Sequence, residues 1–215
     1  MRWIDSYVEP VGTINAEEII KKVEIATRTC YRSEDLISEG TAEKLIRSCI
    51  KRGHESVIEH GTITFRIVCD RAIMAEITRH RMASYSIEST RYCAYSKEKF
   101  GGELSFIKPW WLDQDGYAIA VQEIDRATQK AEESYLAMLQ AGYAPDVARC
   151  ILPNCLATTI VVTMNMREIR HFLRLRLNYK AHPDIRIIAK SLYKMLQDNG
   201  LGIFVEDISC DNNIQ

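Results

Sequence analysis

A chain of 215 residues with 47% hydrophobic and 27% charged side chains has the make-up of an ordinary globular protein and the length of one domain. Its net charge of −1 excludes the global basic field on which non-specific nucleic-acid binding rests. The most apolar run, residues 157–164, falls far short of the ~20 residues a membrane-spanning helix needs. Seven cysteines are scattered with no C-x-x-C pair, which reads as reduced thiols in a cytoplasmic protein. Met1-Arg2-Trp3-Ile4-Asp5 lacks the apolar run of a signal peptide.

The elements follow in order. A short strand is expected around Tyr7-Val8. Asn15 and Glu18 spell a capping box for a helix with Ile19, Ile20, Val23 and Ala26 at helical spacing, up to about Cys30. Thr41 opens a second helix through Leu45, Ile46, Cys49 and Ile50, ended by Gly53. His54 and His60 follow with two glutamates. They stand six residues apart and cannot share a helix face as H-E-x-x-H does, so no metal site is expected. Residues 62–68 alternate as a half-buried strand. Asp70 caps a helix through Ile77, and Arg79 sits at its end, where the helix dipole favours a cation.

Residues 79–92 then hold three Arg, one His, four Ser or Thr and two Tyr, with Glu88 as the one acid. Such a stretch suits the gripping of a large anion, since the Arg fork binds phosphate two-point and stacks on flat rings. It is expected as loop or irregular strand from Arg81 on. Residues 93–112, with Gly101-Gly102, read as a surface excursion or lid. A long amphipathic helix is expected over residues 115–141, with Ile119, Ile124, Ala127, Ala131, Tyr135, Met138 and Leu139 inward. Pro145 opens a short helix holding Arg149. Residues 156–164 read as a buried strand leading to a helix from Asn165. There Ile169, Phe172, Leu173 and Arg176 form an i, i+3, i+4, i+7 stripe. Arg176 at the end of an apolar face needs a counter-charge: either an internal acid, or a bound anion or polarised carbonyl. Arg167, Arg170, His171 and Arg174 take other faces. Pro183 begins a last helix, with Ile185, Ile188, Leu192, Met195 and Leu196 inward, and Gly200 ends it.

Helices and strands that do not alternate regularly indicate an α+β fold, a mixed or antiparallel sheet flanked by helices. No dinucleotide or P-loop glycine motif occurs, and no nucleophile–base set stands out. Arginines at 79–91, 149 and 167–176 can hold phosphates and polarise a carbonyl. The harder chemistry then falls to a cofactor.

Arg79-His80-Arg81, seven residues, then Ser89-x-Arg91 resembles the R-H-R-x7-S-x-R signature of the flavin-dependent thymidylate synthases. His54-x-Ser56-x-x-Glu59-His60, Arg149-x-x-Leu152-Pro153, Asn165-x-Arg167 and Phe172-Leu173-x-Leu175-Arg176 fall in the same family's order and spacing. The resemblance implies one α+β domain over residues 1–215 that forms a homotetramer, with active sites built by several subunits. It implies methylation of dUMP to dTMP, with methylenetetrahydrofolate as carbon donor and FAD reduced by NADPH. Ser56, Arg79, His80, Arg81, Ile87, Asn165, Arg167 and His171 would hold FAD. Glu76, Arg79, Glu88, Ser89, Thr90, Arg91, Arg149 and Arg176 would meet the nucleotide, with Ser89, Thr90 and Arg91 on its phosphate. Arg176, at the uracil edge, and Ser89 carry the catalytic expectation. The chain departs from the family pattern at four positions: Ser86 and His171 replace Asn, Ile87 replaces Glu, and Glu76 replaces Gln. A carboxylate at Glu76 can accept from a cytosine amino group, so dCMP or another pyrimidine nucleotide is the alternative substrate. A nucleic-acid binder is the remote one.

Overall fold

The computed structural model describes residues 1–95 and 102–210. Its chain divides into two units interleaved in sequence. One comprises Met1–Tyr7, Val68–Ile77 and Ser86–Ile160; the other comprises Val8–Ile67, Thr78–Tyr85 and Val161–Gln215. Strands β2 (Tyr7–Pro10), β3 (Thr62–Asp70), β4 (Ala83–Ile87) and β6 (Ala157–Asn165) form a sheet in the order β2-β3-β6-β4. β3 and β6 run antiparallel: Met166 N–H donates to the Gly61 carbonyl at 2.8 Å, and the Thr64 and Thr163 hydroxyls meet at 2.9 Å. The α+β expectation holds. Residues 83–87 form a regular strand rather than an irregular one, because Ala83–Ile87 extends the sheet beside β6.

In the first unit, β1 (Arg2–Ile4) pairs in parallel with β5 (Ser105–Ile107), Trp3 opposite Phe106. Leu104, Phe106, Tyr135, Ala148 and Leu156 pack as its core, with Trp3 against them. The expected surface excursion at 93–112 is therefore corrected: Leu104, Phe106 and Ile107 are buried. A three-residue strand whose partner lies at the other end of the sequence leaves little periodicity to read. Residues 96–101 of that stretch lie outside the described residues. Helix α4 (Ala118–Gln140) is present but buries only Thr128 and Tyr135. Ile119, read as inward, is 79% exposed, and Ala127 is exposed too.

The second unit stacks α1 (Ala16–Thr29), α2 (Thr41–Lys51), a 3-10 turn (Glu55–His60), α6 (Met166–Arg176) and α7 (Pro183–Asp198). Local signals account for their limits. Asn15 Oδ1 accepts from Glu18 N–H at 3.1 Å, and Gly53 takes the left-handed φ of 73° that side chains with a Cβ resist. Val23, Ile46, Ile58, Ile169, Leu173, Ile188 and Leu192 are all 0% exposed. β6, expected as a buried strand, alternates instead: Thr158, Ile160, Val162 and Met164 are buried and their neighbours only half so.

Gly61 joins α1 to the start of α6. A Cβ there would lie 3.0 Å from Ile19 Cγ2, 3.2 Å from Met166 Cγ and 3.3 Å from Val23 Cγ2. Two of those neighbours are stiff at χ1 and cannot swing aside. Gly61→Ala is expected to lower the unfolding free energy by about 1–3 kcal/mol through overpacking. An unchanged denaturation midpoint would show that the α1–α6 junction is looser than its distances imply.

Candidate active site

Helix α6 supplies one side of the site. Asn165 caps it, with Oδ1 accepting from the Glu168 N–H at 2.9 Å. The apolar stripe behaves as read: Ile169, Phe172 and Leu173 are at most 1% exposed. Arg176 ends it half-buried. Its Nε donates to Nε2 of His80 at 3.1 Å, so an imidazole ring is one of its partners. His80 enters from the loop after α3 (Arg71–Ile77), 5% exposed. Its Nδ1 lies 2.9 Å from Glu168 Oε1. Phe172 meets the ring edge-on, with centroids 4.9 Å apart, and His171 lies at 5.6 Å. The Tyr85 hydroxyl donates to the His80 carbonyl at 2.6 Å. Burial, helped by Glu168, pushes that phenol up to about 12, so it remains a donor.

The His80 imidazole is held below its ordinary pKa. Burial is the largest cause; the Glu168 hydrogen bond opposes it and the Arg176 cation adds to it. A histidine kept neutral in the fold takes up less proton than the unfolded chain below pH ~6.5. Its contribution to stability is therefore present above that value and falls away as pH drops toward the folded pKa.

Ligand atoms of His80, Glu168 and His171 lie within 4.8 Å of one another, a spacing that a cation could use. Arg176 argues against one there. A metal on Nδ1 while Nε2 accepts from a guanidinium would require an imidazolate, and a second cation already sits beside the ring.

Next to His80, in the same unit, is a pocket of about 280 Å³ lined by Asn165, Arg167, His171 and Arg174, with Met82 and the carboxylates Glu55, Glu59 and Glu168. Arg167 Nη1 donates to Glu59 at 2.5 Å. Exposed Arg and His donors beside the apolar, 66%-exposed Met82 suit a diphosphate carrying a flat ring, so the donor set fits a flavin dinucleotide. Ser56, Arg79 and Arg81 are exposed, the two arginines flanking buried His80. Arg170, read as lying on another face than the stripe, does so but is covered there: it is 0% exposed. Glu168 and Met82 were not singled out by sequence. For Glu168 a signal existed, since Asn165-x-x-Glu168 has the same spelling as Asn15-x-x-Glu18.

The remaining candidates lie in the first unit. Ile87 is exposed at the end of β4. Glu88 accepts from the Tyr95 hydroxyl at 2.7 Å, and its N–H donates to the Thr159 carbonyl at 2.9 Å. Ser89 Oγ accepts from Arg91 N–H at 3.3 Å. Thr90 is buried, Glu76 half-buried, and Arg91 and Arg149 exposed. The Arg91 guanidinium lies 5.2 Å from the Tyr92 ring centroid. All seven cysteines are unpaired. Burial pushes Cys69 up to about 12 and Cys155 up to about 11, so neither offers a thiolate near neutral pH.

The family model for the thymidylate synthase complementing proteins matches residues 14–199. The flavin-dependent thymidylate synthase of Pyrococcus furiosus is 35% identical over 167 residues, 77% of this chain and 66% of its own length. That of Geobacter sulfurreducens is 31% identical over 193 residues, 85% of this chain and 79% of its own. The chain thus spans slightly under two thirds of the Pyrococcus protein. The UMP/dUMP methylase PolB of Streptomyces cacaoi, solved with 5-Br dUMP, shares the fold with a TM-score of 0.79 at 24% identity, covering 99% of this chain and 100% of that one. Thymidylate Synthase X of Helicobacter pylori, solved with FAD and dUMP, does so with 0.74 at 22% identity, covering 94% and 98%. Among the described residues no helix is long and apolar enough to cross a membrane.

Proposed function

The chain belongs to the thymidylate synthase complementing family, that of the flavin-dependent thymidylate synthases, and on this footing we propose that it methylates dUMP to dTMP, with methylenetetrahydrofolate as carbon donor and FAD, reduced by NADPH, as hydride carrier. The observation that carries the reading is the contact of His80 with Arg176 at 3.1 Å. The first belongs to the R-H-R signature and the second closes the helix motif, 96 residues on. The relatives solved with dUMP or 5-Br dUMP, one of them also with FAD, support the same ligands here.

FAD, when bound, supplies the reducing chemistry. The chain's own residues bind and orient. Asn165, Arg167 and His171, with Ser56, Arg79, His80, Arg81 and Ile87, would hold the flavin dinucleotide. Ser89, Thr90, Arg91 and Arg149 would take the nucleotide phosphate, with Glu76, Glu88 and Arg79 also against dUMP. Tyr95, donating to Glu88, disperses one carboxylate charge that would otherwise oppose a phosphate. Arg176 would face the uracil edge. A fixed cation beside a pyrimidine carbonyl favours negative charge on the ring as carbon 5 becomes nucleophilic. The protonated state of Cys69 and Cys155 suits a route without a cysteine nucleophile.

The family match over residues 14–199 supports one functional domain. The homotetramer implied by the resemblance is supported by α4, whose 23 residues bury only Thr128 and Tyr135, a poor return for so long an amphipathic helix in one chain. The purified protein is expected to be yellow, to bleach with NADPH, and to form dTMP from dUMP and methylenetetrahydrofolate. A protein that binds FAD and turns over dCMP but not dUMP would overturn the substrate; a colourless one would overturn the enzyme.

A further inference from the structure

We propose that Glu168 is a positioning residue for Arg176 and acts through His80: its carboxylate holds the imidazole with hydrogen on Nδ1, leaving Nε2 as the acceptor that orients the guanidinium.

The argument is one of donors and acceptors. An ionised carboxylate can only accept, and a guanidinium can only donate. His80 has Glu168 Oε1 at 2.9 Å from Nδ1 and Arg176 Nε at 3.1 Å from Nε2. Between an obligate acceptor and an obligate donor, one neutral tautomer satisfies both ends. The His80 side chain is 3% exposed and that of Glu168 9%, so water is a poor substitute for either partner. Both are also held from behind. Asn165 accepts from the Glu168 N–H, and Tyr85 fixes the His80 carbonyl. Among the described residues, the charged and titratable groups that act on the ring are Glu168, Arg176 and His171, all on α6; Tyr85 on β4 donates to its backbone oxygen.

The consequence is preorganisation. An arginine side chain has many rotamers, and a guanidinium that must meet a ring edge loses rate when displaced by even ~1 Å. If Glu168 is removed, Nδ1–H loses its acceptor and the other tautomer becomes available. Its Nε2–H then faces the Arg176 donor, and the Nε–H of the guanidinium loses this acceptor. This inference rests on the proposed function for what Arg176 does, but the tautomer does not.

The test uses the flavin-loaded protein with its five histidines labelled with nitrogen-15. The His80 resonances should show a neutral ring protonated on Nδ1. Glu168→Ala should shift it toward the Nε2–H form and lower kcat about 10- to 100-fold, with little change in FAD occupancy. Glu168→Gln, whose side-chain carbonyl still accepts from Nδ1, should keep the tautomer and stay within about threefold of the parent kcat. An Nε2–H ring in the unmutated protein would overturn the proposal without any variant having to fold. So would Glu168→Ala with unchanged tautomer and kcat, or Glu168→Gln as slow as Glu168→Ala. An unmutated protein that forms no dTMP would refute the proposed function instead, and the tautomer would still be read.

Discussion

Arg176→Ala is expected to lower kcat for dTMP formation by about 10²–10³-fold, the cost of removing one preorganised donor aimed at developing charge. Flavin should remain bound, because the donors of the neighbouring pocket, Asn165, Arg167 and His171, are untouched. Most of the loss should fall in kcat rather than KM for dUMP, since the interaction strengthens as charge builds on the ring. Arg176→Lys should rescue little: a lysine has no planar fork and no Nε–H set to meet His80 Nε2. Single-turnover kinetics and flavin absorbance separate the two effects. A variant that loses FAD yet runs at the normal rate once FAD is resupplied in excess would put Arg176 on the flavin instead.

Arg170→Ala is expected to destabilise the protein by about 3–5 kcal/mol, the typical loss when one partner of a buried ion pair is removed. The Arg170 side chain is 0% exposed. Its Nε donates to Glu55 at 3.1 Å, its two Nη groups grip Asp207 at 2.6 and 2.8 Å, and Nη1 also reaches the Phe204 carbonyl. Truncation leaves that carbonyl and two carboxylates without their main donor. At ~2–4 °C per kcal/mol for a chain of this size, the melting temperature should fall by about 6–20 °C at matched protein concentration; a fall under about 2 °C would refute the assignment. The pH dependence follows from the same contact. The Arg170 hydrogen bond holds Asp207 below its ordinary range despite burial. Burial alone would lower Arg170, and Asp207 with Glu55 outweighs it. A depressed carboxyl contributes stability above its unfolded pKa of ~3.9 and loses it as pH falls through the folded value. The acid limb of the melting curve should therefore flatten in Asp207→Asn, modestly, since Asp207 is 44% exposed and partly screened by solvent.

The two arginines of α6 show what periodicity can and cannot tell. Arg176 was legible as the polar end of an apolar stripe, and its half-burial bears that out. Arg170 was not, because the stripe marks one face while α6 is also covered on another, by the turn Gly202–Phe204 and Asp207. α4 was legible in part: Tyr135, Met138 and Leu139 do pack into the core of the first unit. Its spacing announced an inward face, yet Ile119 is 79% exposed, since a heptad-like pattern does not say whether the partner is the same chain or another. β5 escaped notice because three residues carry almost no period, and its partner β1 lies some hundred residues earlier.

By itself the sequence determined what a handful of adjacent residues can settle. The cap at Asn15, the stop at Gly53, the α6 stripe and the family motifs were all readable, because their causes act within a turn or two of backbone. Only the tertiary structure decided which carboxylate meets which donor. Glu168 reaches His80 across 88 positions and Glu55 reaches Arg170 across 115. Burial removes the solvent that would otherwise satisfy each charge separately, so the choice of partner belongs to packing rather than to spacing.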